Sequence, residues 1–183
     1  TIRPQMYATL FGLLAATGLR VSEALALHCA DVTADGLVVR QTKFRKDRLV
    51  PLHETTRAAL DRYLEVRKRI AACDAALFVS ANGSAPAYNT VAVTFRQLVS
   101  ELGLRDRPDQ PDARIHDLRH TFAVRSLEQC PRGQAAVARH VAGLSTYLGH
   151  AHVTDTYWYL HATPLLMRRI AERGEACYLG DPT

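Results

Sequence analysis

The sequence lacks the features that mark several classes of protein. Its four cysteines lie far apart without a CxxC pair, so neither a zinc site nor a disulfide framework is indicated. No apolar run approaches the length of a membrane span, and the first residues lack the apolar segment of a signal peptide. Internal repeats and low-complexity tracts are also missing. We therefore expect a cytoplasmic protein with reduced, mostly buried thiols and no association with a membrane.

Charge of one sign is in only modest excess. Lys and Arg number 23 against 18 Asp and Glu, which gives a net charge of +5. Such a balance suits a polyanionic partner, although many proteins with the same balance bind none. With 183 residues, 48% of them hydrophobic, the chain is long enough for one cored domain and short for two. We expect a single domain over residues 1–183.

Aromatic residues are concentrated near the end of the chain. Residues 147–161 hold three of the seven tyrosines, the single tryptophan and three of the eight histidines. A plain packing segment seldom needs so many aromatic side chains with polar tips. This concentration suggests an active site that contains a tyrosine, with Tyr147, Tyr157 and Tyr159 equally eligible.

The apolar pattern predicts a mainly α-helical chain with a small antiparallel sheet, an α+β fold. The spacing of the apolar residues predicts helices over about residues 6–17, 19–27, 54–70, 90–102, 117–129 and 134–148. Asn89 and Thr90 are predicted to cap the fourth helix, and Gly143 could interrupt the last one. Alternating residues predict a hairpin of residues 36–43 with 48–52, and a further short strand at residues 77–79.

Two groups of charged residues allow more than one interpretation. Arg20 and Glu23 are three positions apart on a predicted helix, where an ordinary exposed salt bridge would explain them. The hairpin tip carries four cations, which suit either a solvated tip or contact with phosphates. These cations are Lys43, Arg45, Lys46 and Arg48.

A candidate anion site lies at the start of the helix predicted from residue 117. His116 and Arg119 fall one turn apart there, where free backbone N–H groups and the helix dipole favour an anion. His116 and His120 also have the spacing of metal ligands, but a convincing third ligand is lacking. We therefore expect no metal ion and no other cofactor.

Four segments now occur in a recognisable order: ATGLRVSE (16–23), TKFRKDRLVPL (42–52), HDLRHTFA (116–123) and LGH (148–150), followed by Tyr159. Together they resemble the catalytic domain of the tyrosine recombinase, or phage integrase, family. The resemblance covers nearly the whole chain and implies the catalytic-domain fold of that family. The N-terminal helical domain that usually completes the clamp around DNA is expected to be absent from this chain. The interval from Arg119 to His150 is several residues longer than the family pattern, with the excess between Cys130 and Gly143.

The resemblance also implies the catalytic residues. Tyr159 lies nine positions after His150 and matches the nucleophile. The remaining matches are Arg20 and Arg119 for the arginines that hold the scissile phosphate, His116 and His150 for the active-site histidines, Lys43 for the hairpin lysine, and Glu23 for an acidic residue that supports the first arginine. Arg45, Lys46 and Arg48 are the expected phosphate contacts along the duplex.

The implied activity is site-specific cleavage and rejoining of double-stranded DNA through a 3′-phosphotyrosyl intermediate. A free tyrosine has a pKa of about 10, so only about 0.1% is ionised at pH 7, a deficit of about 4 kcal/mol that the site must offset. His116 would act as general base and Lys43 as general acid. The resemblance further implies a homotetramer on DNA, a monomer in isolation, and a cytoplasmic protein that joins the nucleoid when bound.

Three alternatives stay open at this point. A type IB topoisomerase-like enzyme would use the same chemistry to relax supercoils without pairing two sites. A non-catalytic DNA-binding module could keep the fold and bind duplex DNA without cleavage. A metal-dependent nuclease could use the clustered histidines and would cut DNA without Tyr159.

Overall fold

The computed structural model of the chain describes residues 2–40, 47–69, 75–104, 113–130, 133–159 and 168. The chain divides into two compact units, residues 1–122 and 123–183. Among the described helices, none combines the length and apolar character needed to cross a bilayer.

Unit 1, residues 1–122, is mostly helical and contains the sheet. Its elements are α1 (Arg3–Thr17), α2 (Val21–Leu25), a 3-10 turn (Cys29–Asp31), β1 (Val32–Thr33), β2 (Gly36–Val39), β3 (Arg48–Val50), α3 (Glu54–Arg67), α4 (Tyr88–Glu101) and the start of α5 (Asp117–Glu128). Unit 2, residues 123–183, holds the rest of α5, then α6 (Gln134–Leu148) and α7 (Thr154–Tyr157). The predicted fold class, mainly α with a small antiparallel sheet, is confirmed.

Helix α1 provides much of the core of unit 1 and packs against α3. Leu10 and Leu14 of its apolar face are each at most 1% exposed. The helix ends at Thr17 because Gly18 takes the left-handed conformation, φ 62°, and its N–H donates to the Leu14 carbonyl at 2.9 Å. This ending turns the chain directly into the segment that carries Arg20.

The sheet has three antiparallel strands in the order β1-β2-β3. Leu37 of β2 pairs with Val50 of β3, which confirms the predicted hairpin, although both strands are shorter than predicted among the described residues. The two-residue strand β1 was not predicted. Its pairing with β2 places Val32 opposite Leu37.

The predicted strand at residues 77–79 is wrong. The chain there makes only an isolated bridge, His28 with Ala76, and the Leu77 N–H donates to the Leu27 carbonyl at 2.7 Å. Leu77 and Phe78 are at most 1% exposed. Among the described residues, no strand pairs with this apolar run, which therefore contributes to the core of unit 1 and not to the sheet.

Several other boundaries differ from the predictions. Helix α4 begins at Tyr88 with Ala87 as its cap, so the predicted cap at Asn89 and Thr90 is wrong. Helix α6 runs through Gly143 without interruption. Cys29 is exposed at the start of the 3-10 turn, and Cys130 is partly exposed, so these two thiols are not buried as expected.

Gly36 yields a prediction about stability. Its φ is +140°, and a Cβ added there would lie 2.3 Å from the Val50 carbonyl oxygen, across the hairpin. We expect Gly36→Ala to lower the free energy of unfolding by about 2 kcal/mol or more, as measured by urea denaturation. Gly12→Ala is the matched control, because Gly12 lies in α1 with no atom within 4 Å of an added Cβ. Gly12→Ala should raise the free energy of unfolding by about 0.5 to 1 kcal/mol. Equal effects of the two substitutions would contradict the prediction.

Candidate functional site

The carboxylate of Glu23 is the centre of a group of charged residues in unit 1. It accepts hydrogen bonds from the Arg20 backbone N–H at 2.9 Å and from Arg20 Nη1 at 2.8 Å. Arg48 adds two more, Nη1 at 3.1 Å and Nη2 at 2.8 Å. Each carboxylate oxygen therefore receives two donors. Two guanidinium groups from different parts of the chain are held by one acidic side chain.

This group differs from an ordinary exposed ion pair. The Glu23 side chain is 9% exposed, that of Arg48 12% and that of Arg20 30%. The predicted Arg20–Glu23 pair does form, but its carboxylate is nearly buried. Arg48, which the resemblance assigns to phosphate contact, presents its guanidinium to Glu23 from strand β3. Two-point pairing of this kind fixes both the position and the plane of a guanidinium.

The surroundings of Glu23 favour its charged form. Burial raises the pKa of the carboxyl, but the hydrogen bonds from Arg48 and from the backbone and side chain of Arg20, together with the charge of Arg48, outweigh this effect. The net pKa lies below the usual 4.5. Glu23 is therefore ionised at neutral pH, and its charge offsets part of the repulsion between the two arginines.

Arg119 is anchored to the end of helix α1. Arg119 belongs to α5 and is 3% exposed. Its Nη1 donates a hydrogen bond to the Gly18 carbonyl at 2.6 Å. Because Gly18 lies two positions before Arg20, this bond brings the start of α5 to the junction between α1 and α2. The two arginines predicted to hold a phosphate are thereby brought to one region of unit 1.

His116 lies in the turn that precedes α5. Partial burial lowers the pKa of its imidazole below 6.5, and the nearby charge of Arg119 lowers it further, as does that of Arg20. Asp117 acts in the opposite direction without reversing the shift. Arg20 and Arg119 thus both lie within electrostatic range of His116. The imidazole is mainly neutral at pH 7, which is the form that accepts a proton.

Unit 2 contains a second group, around His150 and Tyr159. His150 follows Gly149, which ends α6 in the left-handed conformation, φ 68°. The His150 ring lies nearly parallel to the Tyr159 ring, with 6.0 Å between centroids and 15° between planes. Its Nδ1 is 2.7 Å from the Oγ1 of Thr156. Sequence reasoning missed Thr156, because nothing in the local pattern marks that residue as buried.

The three candidate tyrosines differ in exposure. Tyr159 is 8% exposed, whereas Tyr157 is 46% exposed on the surface of α7. Tyr147 lies within α6 and is partly exposed. Three predicted site residues, Lys43, Arg45 and Lys46, lie outside the described residues.

The chain is similar to a known family over most of its length. The model of the family described as the Phage integrase family matches residues 3–165. A putative integrase/recombinase, y4rB of Sinorhizobium fredii, is 43% identical over 179 residues, 95% of this chain and 57% of the relative. The tyrosine recombinase XerD of Corynebacterium glutamicum is 36% identical, over 86% of this chain and 49% of the relative.

Solved structures give the same result. The crystal structure of XerA recombinase matches with a TM-score of 0.75 and 28% identity, over 94% of this chain and 57% of that one. The Tn1549 transposon integrase, solved in complex with transposon right end DNA, matches with a TM-score of 0.70 and 23% identity, over 92% of this chain and 59% of that one. At that identity the second match shows the fold alone. The chain spans roughly half the length of the relatives named here.

The lowered pKa of Glu23 predicts a pH-dependent contribution to stability. A carboxyl with a lower pKa in the folded state stabilises above its unfolded pKa, near 4.5, and loses this effect as pH falls through the folded pKa. At pH 7 we expect Glu23→Gln to lower the free energy of unfolding by about 3 kcal/mol, since it removes the anion that pairs with two arginines. Urea denaturation of both proteins should show that the difference in their free energies of unfolding shrinks steadily below pH 4.5.

Glu65→Gln is the control for this experiment. Glu65 also pairs with a cation three positions away, Lys68, but the two side chains are 66% and 70% exposed. Its substitution should leave the free energy of unfolding nearly unchanged at any pH. A Glu23→Gln deficit that stays constant down to pH 2 would show that packing, and not charge, is responsible.

Proposed function

Because this chain belongs to the phage integrase family, we propose that it acts as a site-specific DNA recombinase. In this proposal Tyr159 attacks a DNA phosphodiester and forms a 3′-phosphotyrosyl intermediate, which a 5′-hydroxyl then resolves. One phosphodiester is exchanged for another of similar energy. Rejoining therefore needs neither ATP nor a metal ion.

The proposal depends most on the grouping of Arg20 and Arg119 with the neutral imidazole of His116. A guanidinium presents a planar fork that matches two phosphate oxygens. Each arginine is oriented before substrate arrives, Arg20 by Glu23 and Arg119 by the Gly18 carbonyl. Pre-oriented cations oppose the negative charge that grows on the non-bridging oxygens as phosphorus becomes five-coordinate.

The proton and bond changes balance as follows. The Tyr159 oxygen bonds to phosphorus while its phenolic proton passes to His116, the general base. The bond from phosphorus to the 5′ oxygen breaks, and Lys43 protonates that leaving oxygen. His150 donates a hydrogen bond to a non-bridging oxygen. Attack by a 5′-hydroxyl reverses each step and releases Tyr159.

Tyr159 is the best-supported nucleophile of the three tyrosines. Its ring lies against His150, which the proposal places at the phosphate, whereas Tyr157 is 46% exposed. Tyr159 also keeps the nine-residue interval from His150 that the family pattern requires.

Double-stranded DNA is the proposed partner. We further propose that copies of the protein assemble as a homotetramer on paired DNA sites, since exchange between two duplexes requires cleavage of each of their strands by its own tyrosine. Such a substrate places the activity in the cytoplasm, at the nucleoid. Arg45 and Lys46 remain the proposed contacts to phosphates away from the cleaved bond.

Covalent trapping tests the nucleophile. The probe is a pool of nicked duplexes of random sequence, labelled at the 5′ end of the cleaved strand, incubated in EDTA and resolved on a denaturing gel. Loss of the short leaving strand prevents rejoining, so the label should remain with the protein. We expect an adduct from the unsubstituted protein, none from Tyr159→Phe, and an unchanged yield from the control Tyr157→Phe. An adduct that persists in Tyr159→Phe would overturn the assignment.

The recovered DNA separates a recombinase from a topoisomerase-like enzyme. A site-specific enzyme should trap duplexes that share a common sequence, which is read by sequencing the adducts. Adducts spread over unrelated sequences would favour the topoisomerase-like alternative. Duplex binding without any adduct would favour a non-catalytic module, and magnesium-dependent cutting by Tyr159→Phe would favour a nuclease.

The lowered pKa of His116 predicts the acid side of the pH profile. A general base must be neutral, and this imidazole stays neutral below pH 6.5 because its pKa is lowered. The rate of adduct formation on a recovered sequence should therefore begin its tenfold-per-unit fall only below pH 6.5. His116→Gln should form the adduct about 10² to 10⁴ times more slowly, and its rate should not show this fall with pH. A fall that begins above pH 6.5 would contradict the assigned role.

A further inference from the structure

We infer that Thr156 is a positioning residue that fixes the tautomer of His150, with the proton on Nε2. The inference rests on the proposed function only for its consequence, which is that His150 donates a hydrogen bond to the phosphate. The tautomer itself follows from contacts within unit 2. All of these contacts lie between residues 145 and 159.

The first observation is the burial of Thr156. The residue is 0% exposed, at the third position of the four-residue helix α7. Its backbone N–H is already used, since it donates to the Val153 carbonyl at 2.9 Å. Within the described part of the chain, the Thr156 hydroxyl has a single hydrogen-bond partner, Nδ1 of His150 at 2.7 Å.

The proton of the Thr156 hydroxyl decides the direction of this hydrogen bond. A threonine hydroxyl carries one proton, and leaving it unsatisfied in a buried site costs about 1 to 3 kcal/mol. With Nδ1 as its partner, the hydroxyl satisfies this proton by donating to that nitrogen. Nδ1 must then be the unprotonated nitrogen of the neutral ring, so the ring proton lies on Nε2. In the opposite arrangement, with Nδ1–H donating to Oγ1, the hydroxyl proton would have no acceptor among the described residues.

The third observation is that the ring is restrained from other directions as well. The His150 backbone N–H donates to the Ser145 carbonyl at 3.0 Å, which ties the residue to the end of α6. The ring lies nearly parallel to that of Tyr159, with 15° between the planes. Thr156 therefore acts on a ring whose position is otherwise held, and its particular contribution is to select which nitrogen carries the proton.

The tautomer matters because the two forms do opposite things at a phosphate. An Nε2–H group donates to a non-bridging oxygen, whereas an unprotonated Nε2 presents a lone pair that repels it. A ring held in the donor form needs no proton rearrangement when charge develops. Partners of this kind are a recognised way to orient a working imidazole.

Two substitutions at position 156 separate positioning from packing. Thr156→Val keeps the shape and removes the hydroxyl, whereas Thr156→Ser keeps the hydroxyl and removes a buried methyl group. If the hydroxyl fixes the tautomer, Thr156→Val should slow adduct formation on a recovered sequence by about tenfold, and Thr156→Ser by much less. If Thr156 serves only packing, Thr156→Ser should be the more damaging change.

Nitrogen-15 NMR of the imidazoles provides a readout that does not depend on catalysis. The His150 signals are assigned by their loss in His150→Gln, and spectra are recorded where the ring is neutral. We expect an Nε2-protonated ring in the unsubstituted protein and in Thr156→Ser, and a changed Nδ1 shift in Thr156→Val. An Nδ1-protonated neutral ring in the unsubstituted protein would overturn the inference, even if neither variant folds.

The two readouts distinguish failure of this inference from failure of the proposed function. If the spectra are as expected but the unsubstituted protein forms no adduct, the tautomer assignment stands and the recombinase proposal fails. If the unsubstituted protein forms the adduct and Thr156→Val forms it equally fast with the same His150 spectrum, the positioning role is wrong and the recombinase proposal stands.

Discussion

The pairing of Glu23 with two arginines is the interaction on which unit 1 depends most. It joins helix α2 to strand β3 through a carboxylate that receives four hydrogen bonds. Removing charges from water is costly, and a nearly buried ion pair repays that cost only when its geometry is good and its polar atoms are satisfied. Both conditions are met here. The same carboxylate that stabilises the fold sets the direction of Arg20, so stability and the proposed chemistry share one interaction.

The ends of helices position Arg20, His116 and Arg119 in unit 1. Gly18 closes α1, Arg20 precedes α2, and His116 lies in the turn before α5. Helix ends leave backbone groups available, and here one such carbonyl binds the side chain of Arg119. An arginine bound to neutral backbone keeps its full positive charge. The proposed function uses that charge at the phosphate.

The sequence allowed much of this to be predicted, for identifiable reasons. Helical periodicity located the main helices, and Gly18 and Gly149 marked helix ends because each is needed in the left-handed conformation. The role of Arg48 could not be predicted, since its partner lies 25 residues away and spacing carries no information about such pairs. The apolar run at residues 77–79 fits a strand or a core segment equally well, and only the lack of strand pairing decides between them. Thr156 was missed because its burial cannot be read from one sequence.

The bond from Arg119 to the Gly18 carbonyl has a consequence for how such a site can be dissected. An acceptor that belongs to the main chain has no side chain to remove, so alanine scanning passes over it and assigns its effect to Arg119 alone. Only a change in the backbone itself reaches it. An ester in place of the amide between residues 18 and 19 would make that carbonyl a weaker acceptor while leaving every side chain intact. Part of the machinery that orients Arg119 is thus invisible to ordinary mutagenesis and open to protein semisynthesis.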